Sequence, residues 1–148
     1  MDDVTLWRLV AVHPIGGLTE VGFVPKSSRL LVASHQGRGE YDLVDGARLA
    51  RDRSEDSTSW FDPNGPACLA LVSPAWVPVA GLAGGTLPIG HGRWQLELSE
   101  ERAVVVDAAS SISQQLCEGE EVRVAGFAPG GQTIVVGRPM DLSIYRAP

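Results

Sequence analysis

Apolar and polar residues alternate along most of this chain, in short runs and not with a helical spacing. TLWRLVAV (5–12), RLLVAS (29–34), RWQLEL (93–98) and RAVVVD (102–107) carry the pattern most clearly. Successive side chains of a strand point to opposite faces, so a period of two predicts half-buried β-strands. Further strands are expected at 19–24, 39–44, 47–51, 67–72, 77–82, 85–89, 121–127, 132–137 and 140–146. SSISQQL (110–116) suits either a strand or a short turn of helix. Clusters of glycine, proline and aspartate separate the runs. Asp45-Gly46 predicts a tight hairpin, because a type I′ turn needs positive φ at both central residues. Residues 51–66, RDRSEDSTSWFDPNGP, are polar and turn-rich and read as a long surface loop, with Trp60 and Phe61 dipping back into the core. The pattern predicts an all-β fold.

One phrase recurs. VAGFAPGGQTIVVG (124–137) matches VPVAGLAGGTLPIG (77–90) and, more loosely, EVGFVPKSSRLLVAS (20–34). Aligning Gly22, Gly81 and Gly126 gives three units in which a turn, an apolar strand, a polar turn and a third strand follow the glycine. The units run over about 18–51, 76–107 and 121–148. The first two have a fourth strand; the third ends before one. The otherwise unassigned strand at 5–12 supplies it and removes an exposed edge.

The phrase apolar–Gly–Phe–x–Pro–x–Gly–x–x–apolar–apolar resembles the inner strands of WD40-like β-propeller blades, and the borrowed N-terminal strand resembles the way propellers close. The Trp-Asp pair of true WD40 repeats is absent, and Gly-His occurs only once, at 90–91. The resemblance implies three propeller-like antiparallel sheets about a pseudo-threefold axis in one domain spanning 1–148. Two chains sharing a larger ring, as a homodimer in place of a monomer, also satisfy it, and an ordinary β-sandwich or barrel is the alternative architecture. Propellers commonly serve as protein-interaction modules, which makes another protein the expected partner.

Composition narrows the function. The chain has 148 residues, a net charge of −6 and Lys26 as its sole lysine. An acidic balance argues against nucleic acid, whose binding depends on basic surface. No apolar run reaches the length that spans a bilayer, and the acidic start MDDVTLWRLVAV differs from a basic signal peptide. A cytoplasmic location is expected, without membrane association. Richness in Ala, Gly and Arg resembles high-GC bacterial coding. Cys68 and Cys117 read as reduced thiols or as one disulfide.

The turns after the second strand of each unit read SHQGRGE (34–40), GHGRWQ (90–95) and GRPMD (137–141). Arranged about an axis, they would gather His35, Arg38, His91, Arg93 and Arg138 on one face. Arginine forms paired hydrogen bonds to carboxylate and phosphate, so this face is a candidate site for a small anionic ligand. No cofactor and no metal site is expected, since no histidine or cysteine stands at a recognised ligand spacing. No nucleophile elbow or phosphate loop appears. A non-catalytic interaction module is the leading reading. The anion binder and a hydrolase with an unrecognised site stand behind it.

Overall fold

The computed structural model describes residues 6–54, 56–73 and 75–148. The first strand, β1 (Arg8–Pro14), pairs with none of its sequence neighbours; Thr5 of the expected strand lies outside the described residues. β2 (Leu18–Phe23), β3 (Arg29–Ser34), β4 (Gly37–Asp42) and β5 (Arg48–Asp52) form an antiparallel meander. β2, β3 and β4 are buried on both faces over most of their length. Residues 43–47 turn the chain into β5 with Gly46 at φ 76° but Asp45 not at positive φ, so the hairpin forms without the expected type I′ geometry. A 3₁₀ turn at Ser57–Ser59 leads into a small sheet of β6 (Phe61–Asp62), β7 (Ala67–Leu69) and β8 (Trp76–Pro78). β9 (Ala80–Gly81) leaves that sheet and adds to the free edge of β2.

Beyond it, β10 (Gly90–His91), β11 (Trp94–Ser99), β12 (Arg102–Asp107) and β13 (Ser113–Glu118) form another antiparallel sheet, so the ambiguous segment near 110–116 is strand. β14 (Val124–Phe127), β15 (Thr133–Arg138) and β16 (Asp141–Arg146) end the chain. β1 pairs antiparallel with β16, from Arg8 opposite Arg146 to Pro14 opposite Asp141, giving the order β1-β16-β15-β14. The N-terminal strand thus completes the last sheet, as the propeller resemblance implies.

The number of sheets differs from the expectation. Four are present among the described residues, because residues 61–78 form a sheet of their own. The middle copy of the repeat does not fold as a unit either: β8, β9 and β10 lie in three different sheets, and residues 85–89 form no strand. Gly22 and Gly126 do hold equivalent places, in the inner strand of a four-stranded meander and opposite Leu31 and Val135. Gly81 does not. It ends β9 opposite Glu20, where a side chain would overlap the Thr19 carbonyl.

What the middle copy builds is a strap. Residues 78–88 run along the inner edges of two neighbouring sheets. Leu82 N–H donates to the Thr19 carbonyl at 3.1 Å, and Phe127 N–H donates to the Pro88 carbonyl at 2.8 Å. These bonds cover backbone edges that would otherwise stand free. The approach is so close that a methyl on Gly22 would overlap the Pro78 carbonyl oxygen, and one on Gly126 would overlap the Leu87 side chain.

Three apolar cores join the four sheets in series. Leu18, Leu30, Val32, Val135, Leu142 and Ile144 lie between the β2–β5 sheet and the sheet closed by β1. Trp7, Leu96, Val105, Phe127 and Ile134 join that closed sheet to β10–β13. Leu31, Trp60, Cys68 and Val77 pack the small sheet on the other face of β2–β5. This last seam is also pinned by a buried carboxylate. Glu40, fully buried, accepts the N–H groups of Leu71 and Val72 at 3.1 and 2.6 Å, and Arg29 Nε stands 3.5 Å from its other oxygen.

Two substitutions test these contacts. Gly126→Ala is expected to lower the unfolding free energy by about 2–3 kcal/mol through overpacking, whereas Gly65→Ala, with open space around it, changes it little. Glu40→Ala removes the charged acceptor of the Leu71 and Val72 N–H groups from the seam and is expected to cost about 3 kcal/mol. Urea titration of each variant measures both.

Candidate functional site

The five residues expected to share one face do not come together. His35 is exposed and its ring lies against Gly17, in the connector from β1 to β2. The turn after Arg138 touches the same connector, since Ile15 N–H donates to the Met140 carbonyl at 2.9 Å. His91 lies elsewhere. Its ring covers Gly131, in the turn that precedes β15, whereas Arg138 ends that strand. Six extended residues separate the two places by roughly 17–20 Å.

The three arginines are also engaged by the protein itself. Arg138 makes a two-pronged pair with Asp141 at 2.8 and 2.7 Å and lies 3.5 Å from Glu120. Its hydrogen bonds to Asp141 raise its pKa further. Arg93 pairs with Asp107 at 2.9 Å and lies over the Trp94 ring. Arg38 points into the seam with the small sheet, where it pairs with Asp52 at 3.1 Å, donates to the Leu69 carbonyl and lies 5.3 Å from the Trp60 ring centre. Each tightens its own sheet or seam, which sequence spacing alone does not reveal.

The cysteines are free. Cys68 is buried in the small sheet, and burial, with Glu20 adding to it, pushes its thiol up to about 12. Cys117 sits on β13, and burial raises it too. Such thiols are poor nucleophiles at neutral pH. His13 donates from Nε2 to the Gly46 carbonyl at 2.5 Å and packs on Tyr41. Among the described residues no cluster of three or more His, Cys, Asp or Glu has the geometry of a metal site. No helix among them is long and apolar enough to cross a membrane.

One concave feature was not anticipated from sequence. An open groove of about 600 Å³ lies where the strap passes between sheets. Phe23 and Pro25 of the β2–β3 turn, Pro66 and Pro78 of the small sheet, Leu87 of the strap and Pro129 of the β14–β15 turn form most of its wall. Its lining is predominantly apolar. Pro129 also borders a second hollow of about 450 Å³, whose rim carries Lys26 and Arg146, so the two run together along one end of the molecule. The sequence signal was the prolines of the repeated phrase, Pro25 and Pro129, which stop their strands and stand exposed.

Trp76 extends this surface. It precedes Pro78 by two residues on β8, hence shares its face, and it is 52% exposed, whereas Trp7 and Trp60 are 3% and 4% exposed. Large apolar side chains that a fold leaves open beside a groove mark interaction surfaces more often than scattered exposed residues do.

No family model matches the chain, and no curated protein matches it in sequence. Among solved structures it is similar to the WD40 domain of Pan2 from Neurospora crassa, with 14% identity and a TM-score of 0.35. That match covers 93% of this chain and 52% of the domain, so the chain spans about half the length of its structural neighbour.

The Arg38–Asp52 pair gives a pH-dependent readout of the seam. The Ser54 N–H that Asp52 accepts, and then Arg38, hold its carboxyl below the usual carboxylate range. A depressed folded pKa contributes stability that is present above the unfolded value, near 4, and lost as pH falls through the folded one. The stability gap between wild type and Asp52→Asn should therefore be full at pH 6 and shrink between about pH 4 and pH 2. Denaturant titrations across that range measure it.

Proposed function

We propose that this protein is a non-catalytic interaction module that takes an extended segment of another protein into the groove lined by Pro25, Pro66, Pro78 and Pro129. The observation that carries this reading is the groove itself, walled by three sheets and the strap. Proline rings and the Leu87 side chain are fixed in place, so little conformational freedom is lost there on binding. An apolar floor gives affinity through burial. Lys26 and Arg146 at the adjoining rim favour a segment with an acidic residue beside its apolar one, since complementary charge selects orientation and speeds association. Trp76 supplies an aromatic anchor of the kind that dominates interface energetics.

Thr86 is exposed on the groove wall, so Thr86→Trp fills the groove without touching a core. Tagged wild-type protein is expected to retain a stoichiometric partner from its native cell. Thr86→Trp is expected to lose it, and Trp76→Ala to weaken it about tenfold or more, both with an unchanged melting temperature. A wild-type chain that travels alone under gentle conditions, or variants that keep the partner, would rule out the groove.

A further inference from the structure

At the opposite end of the β2–β5 sheet lies a smaller hollow of about 40 Å³, open to solvent on one side. β1 and its exit, through Pro14 and Ile15, form one wall; Val32, Ser34, Gly39 and Tyr41 form the other, and Arg48 and Arg51 border it. The two arginines are three residues apart on β5, and a regular strand would send them to opposite faces. A bulge prevents this. Glu40 pairs with Ala50 but Tyr41 pairs with Arg48, so Leu49 is the extra residue, and Gly39 pairs with Arg51. Both guanidinium groups are thereby placed on the Tyr41 side of the sheet, which is the re-aiming that bulges produce.

The acids of the neighbouring strands point away. Glu40 and Asp52 alternate with Gly39 and Arg51 and face the small sheet, where Leu71, Val72 and Arg38 hold them. Among the described residues neither Arg48 nor Arg51 forms an ion pair, whereas Arg29, Arg38, Arg93, Arg123 and Arg138 all do. The Tyr41 ring packs beside Gly39, and its hydroxyl makes no hydrogen bond with another described residue. Burial raises the Tyr41 pKa while Arg48 and Arg51 oppose that effect, so the hydroxyl remains a proton donor at neutral pH and senses both arginines.

We propose that this hollow binds a small free oxyanion, a carboxylate or phosphate group, between Arg48, Arg51 and the Tyr41 hydroxyl. One water fills roughly 10–15 Å³, so the space suits a headgroup of about three heavy atoms, with any remainder projecting past β5. Two unpaired guanidinium groups and a hydroxyl donor match the acceptor oxygens of such a group. This site is separate from the groove and does not depend on it.

The test is thermal denaturation in acetate and in inorganic phosphate, each against chloride at equal ionic strength. A saturable rise in melting temperature with either anion is expected, because a ligand bound only by the folded state stabilises it. A response to one anion alone names the headgroup. Arg48→Gln/Arg51→Gln should abolish the rise, Tyr41→Phe should weaken the apparent affinity about fivefold, and Arg102→Gln on a distant strand should preserve it. No saturable response, or an equal response in Arg48→Gln/Arg51→Gln, would overturn the proposal. Proton shifts of the Tyr41 ring during titration provide a second readout if the double variant is unstable.

Discussion

The close approach of the strap to two glycines is the constraint on which the other contacts depend. Each inner strand, β2 and β14, needs a backbone partner on its free side, and residues 78–88 supply both. The distance available leaves no space for a side chain at Gly22 or Gly126. Once the strap is seated, Val79 and Ala80 join the cores on either side of β2, and Leu87 packs against the core beside β14. The groove is the outer side of the same arrangement. Its walls are fixed because the segment between them is bonded at both ends.

The seams are held by a second device, charge buried with its partner. Glu40, Arg38 and Asp52 tie the small sheet to its neighbour by bonding to the backbone of residues 69–72 and to one another. Arg123 does similar work elsewhere, donating to the Leu18 carbonyl at 2.6 Å across two sheets. Buried ions add little net stability when paired but cost several kcal/mol when one partner is removed. Their effect is therefore to fix which sheet faces which. The same engagement withdraws Arg38, Arg93 and Arg138 from ligand binding.

What remains open is divided between two ends of the molecule. At one end the proline-walled groove and Trp76 offer apolar surface with a basic rim. At the other, a bulge turns two uncommitted arginines toward a hollow of a few water volumes. The first suits a chain segment, the second a single charged group. Similar composition could not have separated them, since both draw on ordinary turn and strand residues.

The alternation of apolar and polar residues determined the all-β class, the meanders at 18–52 and 124–146 and the hairpin at Asp45-Gly46, because strand pairing between sequence neighbours is a local matter. It also indicated that the first strand would close the last sheet, since an edge left bare at 146 required a partner. The fate of the middle copy was decided by tertiary structure. VPVAGLAGGTLPIG has the wording of a blade, yet Gly81 at φ 154° and Gly84-Gly85 let it pass between sheets, where edge bonds to β2 and β14 outweigh a sheet of its own. The arginines followed the same rule. Their turns aligned in sequence, but whether a guanidinium meets solvent, a carboxylate or a carbonyl depends on register and packing across seams, which no single strand specifies.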